Sequence, residues 1–328
     1  MRKKMPRVVG VAAATVLLLE ACSGTTGSSP QSSAAPPVAS PAAASAAVTI
    51  PATSAASAPA GSPSASTTGA AATMVTVPCT GFSLVTPGTI TVATYGTGLP
   101  DIQINSNGTM GALEGALFAG FAQDCHLQVK LYQTTFASMI LAVQQHKADV
   151  ASYIYYSAAR AKVLYYTYPH WVADKAAVFY RSNFNYTGPQ SCKTAGTATG
   201  FVWASYLQQA LGSNAKLFPD STTGGTAVLD GQLDCWVNGI TSVADPPWPT
   251  AQGKFKTTLL SPGDFGMPLS ALDNQSYNAV ACTNKPLAGA INAALTNLVA
   301  SGQWAKVMAQ NNVPASDGPQ LQAPPEGC

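Results

Sequence analysis

Strand-like and helix-like patterns of apolar residues alternate along the chain from residue 89 onward. Residues 89–94 and 127–131 alternate apolar and polar positions, which predicts strands, whereas residues 111–125 and 135–146 repeat apolar positions at helical spacing. Residues 148–154 form a further strand-like run. Because strands and helices take turns, the pattern predicts βαβ units and a largely parallel sheet, an α/β fold.

A second block of the same kind begins after Arg181. It opens with a Gly- and Thr-rich segment at residues 194–200, which predicts a turn before a helix at 201–211. The remaining predicted elements are strands at 216–219, 235–237 and 278–282 and helices at 224–233, 286–300 and 303–311.

The first 22 residues predict export and attachment to lipid. Four basic residues precede the apolar run 8–19, which is too short to span a bilayer. The run ends in Leu19-Glu20-Ala21-Cys22, which resembles the lipobox of bacterial lipoproteins except at Glu20, so Cys22 is the predicted site of lipidation. The alternative is a plain secretory signal with an incidental cysteine.

Residues 23–79 are predicted to be a disordered tether. Most of this segment is Ala, Ser, Pro, Thr and Gly, without charge or hydrophobic period, so it cannot offset the entropy lost on ordering. The same composition also fits a glycosylated stalk.

The charge balance argues against nucleic acid as a partner. The chain has 16 basic and 14 acidic residues, and removing the signal segment leaves 12 and 13, without a basic patch. The roughly 250 residues that remain fit one large domain or two lobes.

The cysteine count predicts disulfides and argues against a metal site. Assigning Cys22 to lipid leaves an even set of six, which in an oxidising compartment predicts disulfides with about fifteen conceivable connectivities. No CxxC pair or Cys/His cluster has the spacing of metal ligands, so neither a metal nor a cofactor is expected.

Several motifs, in their order, resemble those of one protein family. They comprise FASMILAVQQHKAD at 136–149, SAARAK at 157–162, YTYPHW at 166–171, GTAT at 196–199, LDGQLD at 229–234 and SGQW at 301–304. The chain from residue 88 to 313 therefore resembles the extracytoplasmic solute-binding proteins of family 3, the receptors of polar amino acid ABC importers.

The resemblance implies a two-lobed, periplasmic-binding-protein-like (type II) fold with two hinge strands. Lobe one is expected at residues 80–180 plus 270–328 and lobe two at 181–269. The implied function is that of the substrate-binding component of an ABC importer. It would act as a monomer beside the permease, outside the cytoplasm on its Cys22 lipid, and capture a small polar, carboxylate-bearing, amino-acid-like solute.

Arg160 is the first candidate for binding the solute. A guanidinium matches a carboxylate bidentately, which a lysine cannot do. The resemblance places the family's carboxylate-binding arginine at Arg160, next to Ser157. Without the resemblance, a surface salt bridge would be the simpler interpretation of this arginine.

The resemblance adds further candidate contacts. From lobe two, the turn with Thr197, Ala198 and Thr199 would meet the same carboxylate at a helix N-terminus, although an ordinary helix cap by Thr199 gives the same letters. The ring of Phe136 would stack on the solute, although an apolar residue at a helix start is usually core.

Other positions depart from the family pattern. Tyr153 and Tyr155 precede Arg160 where the family has small residues, and Tyr95 stands where the first strand usually ends in an aspartate. Asn238 and Gly239 occupy the place of the aspartate that binds the α-amino group. Because a desolvated ammonium without a counter-charge is costly, a carboxylate, an amide or a cation held by aromatic faces fits better than a standard amino acid.

The implied lobes favour one disulfide pairing. Cys192 and Cys235 both fall in lobe two and are paired first. Among the rest, Cys79–Cys125 and Cys282–Cys328 lie within lobe one and leave the hinge free.

Two other functions remain open at this point. An enzyme on the same fold, dehydratase-like or lyase-like, is disfavoured because the folded part has only Glu114 and Glu326 as glutamates and no GxSxG motif. A structural lipoprotein of the cell wall is the third alternative.

Overall fold

The computed structural model describes residues 73–322 and 327–328. The predicted signal peptide, the lipidation site Cys22 and the predicted tether up to residue 72 lie outside the described residues. Among the described helices, none combines the length and the apolar character needed to cross a membrane.

Strands and helices alternate over residues 110–161 and 195–239, as the apolar pattern predicts. The strands are β1 Thr89–Thr94, β2 Gln103–Ile104, β3 Met110–Gly111, β4 Gln128–Gln133, β5 Val150–Tyr155, β6 Leu164–Tyr166, β7 Trp171–Arg181, β8 Ala195–Ala198, β9 Ala215–Phe218, β10 Cys235–Gly239, β11 Phe255–Leu259 and β12 Asp273–Ala281. The helices are α1 Ala112–Asp124, α2 Phe136–Gln144, α3 Ala158–Ala161, α4 Ala204–Leu211, α5 Ser221–Leu229, α6 Lys285–Ala300 and α7 Gln303–Gln310.

The sheet has a parallel part in each of two lobes. In lobe one β1 lies between β4 and β5, and in lobe two β8 lies between β10 and β9, with parallel pairing throughout. The two parts are joined by antiparallel pairing through β12 and β7. The predicted largely parallel sheet is therefore correct for these strands and wrong wherever β12 or β7 pairs with a neighbour, including β6 in lobe one and β11 in lobe two.

Strand β7 is the direct link between the lobes. Its beginning, up to Lys175, pairs with β12 of lobe one, and the segment from Ala176 to Tyr180 pairs with β10 of lobe two. Strand β12 supplies the return path from lobe two. Two extended strands therefore connect the lobes, as the resemblance implies.

Each lobe buries its own apolar residues on both faces of its sheet. In lobe one, helices α1, α6 and α7 cover one face and α2 the other. In lobe two, α4 and α5 cover the sheet around Trp203 and Trp236, both fully buried.

Three disulfides confirm the favoured pairing. They join Cys79 to Cys125, Cys192 to Cys235 and Cys282 to Cys328, with separations of 46, 43 and 46 residues. Each lies within one lobe. Loops of this length restrict the unfolded chain by about 4 kcal/mol in the chain-entropy model without restricting movement of the lobes.

The end of the predicted tether is attached to lobe one. The backbone N–H of Val75 donates to Asn297 Oδ1 (2.8 Å), and Asn297 Nδ2 donates to the Val75 carbonyl (2.9 Å). Val77 packs against the core, and Cys79 follows in its disulfide. Residues 75–79, predicted as tether, are thus part of the folded lobe.

Lobe one contains a buried polar network. His170, Asp101 and Glu114 are all fully buried. The His170 Nε2–H donates to Asp101 Oδ1 (2.8 Å) and lies 3.4 Å from Glu114 Oε1. Ser276 also donates to Asp101, and Glu114 accepts the backbone N–H of Tyr153 (3.1 Å). When it is protonated, the imidazole places a positive charge between these two carboxyl groups.

The pKa values of Glu114 and His170 are both raised in this network. Burial raises the pKa of Glu114 to about 7, although the charge of His170 opposes it. For His170, burial lowers the pKa, but Glu114 and Asp101 outweigh burial, and the pKa is raised. Both groups hold their protons more tightly in the folded protein than in the unfolded chain.

We expect the free energy of unfolding to fall as the pH rises from about 5 to 8. In the unfolded chain Glu114 loses its proton near pH 4.5 and in the folded protein near 7, so its contribution disappears across that window. The contribution of His170 is complete below its ordinary pKa and is lost above its raised one. Denaturant melts at pH 5 and pH 8 measure the difference.

Substituting Glu114→Gln should reduce that difference by on the order of 2–3 kcal/mol, because it removes the titrating carboxyl and keeps an acceptor for Tyr153. Asp124→Asn, at the exposed end of the same helix, is the matched control and should leave it unchanged. An equal pH dependence in wild type and Glu114→Gln would contradict the assignment.

Candidate ligand-binding site

A small pocket lies between the two lobes and contains most of the predicted site residues. Its space is about 10 Å³, roughly what one water molecule needs. The lining residues are Tyr95, Phe136, Tyr153, Tyr155 and Arg160 of lobe one and Phe201, Val202 and Asn238 of lobe two.

Arg160 is buried at the edge of this pocket and bridges the lobes. It is 8% exposed and follows Ser157, which caps the short helix α3 by accepting the Arg160 backbone N–H. Arg160 Nη1 donates to the Tyr155 carbonyl, and Nη2 donates to the Gly200 carbonyl, both at 2.6 Å. The guanidinium therefore already holds one backbone oxygen from each lobe.

The partner of Arg160 in lobe two differs from the predicted one. Residues 196–198 belong to the buried strand β8, so the prediction of a turn there is wrong. Thr197 and Ala198 lie within the sheet, and Thr199 is exposed beyond it. The residues of this segment that line the pocket are Phe201 and Val202, which precede helix α4 at Ala204, and the Gly200 carbonyl is the partner of Arg160.

Gly196 explains why this sequence forms a strand. A Cβ atom at Gly196 would lie 2.9 Å from both the Lys216 carbonyl and a methyl group of Leu233. The glycine thus allows close packing between β8 and its neighbours rather than a turn.

An aromatic cluster spans the cleft beside Arg160. The Phe136 ring lies 5.0 Å from the guanidinium carbon of Arg160, a cation–π contact. It meets Phe201 of the other lobe edge-on at 4.8 Å and Tyr95 at 5.2 Å. Phe136 is in place because Thr135 caps α2 by accepting the N–H of Ser138, which starts the helix at the cleft.

Tyr153 is held in an unusual backbone conformation on the wall of the cleft. Its φ is +50°, in the left-handed region that costs a residue with a Cβ about 1–2 kcal/mol. The hydrogen bond to Glu114 fixes this backbone. Gly98 makes room for the ring, since a Cβ there would lie 2.6 Å from Tyr153 Cε1.

Strand β10 has Asn238 and Gly239 at the place where the family pattern has an aspartate. A carboxylate from the neighbouring strand β7 lies there instead. Asp174 of β7 is fully buried, and its carboxylate fills the space that a side chain at Gly239 would need. Both oxygens are bonded, one to the Tyr155 hydroxyl and the other to the N–H and hydroxyl of Thr241. Burial raises the pKa of Asp174 to about 6.

The hydrogen bond to Asp174 determines that the Tyr155 hydroxyl acts as a donor on that side. Burial raises the pKa of Tyr155 well above its usual range, so the phenol stays neutral. Because its proton is directed to Asp174, the oxygen of Tyr155 has lone pairs for donors in the pocket. Asn238, the other predicted residue, donates to the Ser221 hydroxyl (3.0 Å) and accepts the Gly239 N–H (2.9 Å).

A larger cavity of about 330 Å³ adjoins the pocket, within the range of small-ligand sites. The two spaces share Tyr95, Tyr153 and Asn238. Asp245, from the Pro-rich segment after β10, borders the larger cavity and accepts the Leu99 N–H across the cleft (2.8 Å).

The sequence pattern missed Gly200, Phe201, Asp174 and Asp245. Phe201 was assigned to a helix because its apolar neighbours continue the spacing. The acidic residue beside three prolines in DPPWP was a signal for Asp245, since a carboxylate in an otherwise uncharged loop needs a local reason.

Comparisons with known proteins agree with this architecture. The family model described as bacterial extracellular solute-binding proteins, family 3, matches residues 90–312 of the 328. A search of curated proteins finds no match.

Three solved structures illustrate the likeness of the fold. The substrate-binding protein of an amino acid ABC transporter is 16% identical, with a TM-score of 0.60 over 68% of this chain and 99% of its own. An amino acid ABC transporter substrate-binding protein of Streptococcus pneumoniae bound to L-arginine is 13% identical, with a TM-score of 0.56 over 68% and 93%. A histidine kinase sensor domain with similarity to periplasmic binding proteins is 19% identical, with a TM-score of 0.60 over 68% and 95%.

At these identities the solved structures show the fold alone, and the family model carries the assignment. Its match covers both lobes and the strands that join them. The chain therefore belongs to the bacterial extracellular solute-binding proteins, family 3.

Proposed function

We propose that this chain is the substrate-binding component of an ABC importer and captures an amino-acid-like solute by its carboxylate between the two lobes. The observation that carries this is the position of Arg160, buried in a cleft with an aromatic wall and bonded to both lobes. In this proposal the chain binds and releases its solute without converting it.

Arg160 is suited to a carboxylate because of how its present partners are distributed. The Gly200 carbonyl belongs to lobe two, so this partner is withdrawn whenever the lobes separate. The freed Nη2, beside Nε, then presents two donors on one side of a planar group. A carboxylate accepts both in a bidentate pair and adds the attraction of its own negative charge, which the backbone carbonyl lacks.

The aromatic cluster supports the same proposal. Phe136 and Tyr95 come from lobe one and Phe201 from lobe two, so the edge-to-face contacts of Phe201 with these two rings form when the lobes meet. A solute's aliphatic chain would lie among these rings, and the Tyr155 oxygen would accept from an N–H donor.

The cellular setting belongs to the same proposal. The chain would act as a monomer outside the cytoplasm, held at the membrane by a lipid on Cys22, and would deliver its solute to a permease. The lipobox-like sequence Leu19-Glu20-Ala21-Cys22 supports the anchor.

Replacing Arg160 should abolish most of the affinity for the solute. Arg160→Ala removes the partner of a desolvated carboxylate, which costs about 2–5 kcal/mol, or roughly thirty-fold to several thousand-fold in Kd. Arg160→Lys should recover little, because a point charge does not replace the planar fork. Calorimetric titration with each of the twenty standard L-amino acids measures these changes.

Arg181→Lys is the matched control. Arg181 Nη1 also donates to two backbone carbonyls, those of Val228 and Leu233, but within lobe two and away from the cleft. The affinity of the Arg181→Lys variant for the solute should therefore equal that of the wild type. Wild-type binding with the same Kd in Arg160→Ala would refute the carboxylate contact, and failure of all twenty amino acids to bind wild type would refute the amino-acid-like solute.

The anchor is tested by the mass of the protein extracted from membranes. Wild type should carry acyl chains on an N-terminal Cys22, and Cys22→Ala should lack them, because the thiol is the point of attachment. A wild-type protein cleaved elsewhere, or without added acyl mass, would contradict lipidation.

A further inference from the structure

The cavity beside the Arg160 pocket is acidic. Two carboxylates, Asp245 and Asp220, border it together with hydroxyl groups such as those of Ser221 and Thr223. Among the described residues that line it, none is a lysine, arginine or histidine. A cavity of about 330 Å³ with this lining repels anions and favours a cation.

Asp245 is the buried member of the pair. It is 7% exposed, whereas Asp220 is partly exposed and already caps α5 by accepting the Thr223 N–H (2.7 Å). Asp245 Oδ1 accepts the Leu99 N–H, and Oδ2 has no hydrogen-bond partner among the described residues. A buried carboxylate with one neutral donor is poorly compensated, and it is stabilised by a positive charge nearby.

We propose that Asp245 is the counter-charge for a cationic group, an ammonium or guanidinium, at the end of the solute opposite its carboxylate. This inference rests on the proposed function and names its substrate class, a solute with a charge at each end. Arg160 meets the anionic end, and Asp245 meets the cationic end.

The path between the two charged residues fits such a solute. The Arg160 pocket and the Asp245 cavity share Tyr95, Tyr153 and Asn238, so they are parts of one continuous cleft. The rings of Tyr95 and Tyr153 stack at 5.8 Å and present aromatic faces, which attract cations. Asn238 already makes its own hydrogen bonds and is uncharged, so it adds no charge to the middle of the cleft.

A purely structural role for Asp245 makes a different prediction. Its bond to Leu99 joins the lobes, and an asparagine oxygen accepts that N–H equally well. The isosteric variant Asp245→Asn therefore keeps the bond to Leu99 and removes the charge. Only the proposed role makes binding depend on the charge of the solute.

Proton release gives a second readout. Burial raises the pKa of Asp245 to about 7, and the charges of Asp174 and Asp101 add to it. The other titratable groups that border the cavity are Asp220, Tyr95 and Tyr153. A bound cation favours the ionised carboxylate, so it should displace a fraction of a proton at pH 7.

The experiment compares L-arginine with L-citrulline, whose neutral urea group has the same shape as the guanidinium. Calorimetry on wild type should show tighter binding of arginine, with a heat that depends on the ionisation enthalpy of the buffer. Asp245→Asn should weaken arginine by about 10- to 100-fold, leave citrulline within a few-fold and abolish the buffer dependence. Asp230→Asn, an exposed acid of lobe two, is the control and should change neither.

The outcomes separate this inference from the proposed function. Citrulline or glutamine binding that needs Arg160, with arginine unaffected by Asp245→Asn, would overturn the role of Asp245 alone. So would a wild type that binds neutral amino acids but neither arginine nor lysine. If no amino acid binds, the proposed function fails, and this inference fails with it.

Discussion

A single buried ion cluster holds the cleft side of lobe one in shape. His170 stands immediately before the linking strand β7, and its imidazole joins Asp101 of the loop after β1 to Glu114 of α1. Each of these carboxyl groups links the cluster to residues that line the cleft. Glu114 accepts the N–H of the left-handed Tyr153 backbone, and the loop that holds Asp101 also contains Leu99, whose N–H donates to Asp245 of lobe two. Removing one member of this cluster would leave its partners without compensation inside the lobe.

The same cluster explains why bulky tyrosines occupy a cleft position where the family has small residues. The strained Tyr153 backbone is compensated by a hydrogen bond to the fully buried Glu114, and such a bond is strong where water is excluded. Gly98 supplies the space for the ring. The aromatic wall therefore depends on a glycine, a carboxyl group and an imidazole that are far apart in sequence.

Local pattern predicted the elements well where the apolar period is strong. Strand β1 has the predicted bounds, 89–94, and α6 and α7 agree within one residue. The failures involve contacts between distant segments. Gly196 has the letters of a turn residue because the residues that approach it closely, Lys216 and Leu233, are distant in sequence. Likewise the carboxylate missing at Gly239 is supplied by Asp174, and only the antiparallel register of β7 and β10 brings these positions together.

Two of the hydrogen bonds that cross the cleft are of one kind, a charged side chain against a neutral backbone group. Arg160 binds the Gly200 carbonyl, and Asp245 binds the Leu99 N–H. Such bonds bring the lobes together without satisfying either charge fully. A solute shifts the balance toward closure only through interactions that it makes better in the closed form. A carboxylate at Arg160 and a cation at Asp245 each add an opposite charge where a neutral group now stands. Under the two proposals made above, a doubly charged solute would favour closure more than one with a single charge, because each end would compensate one buried charged residue.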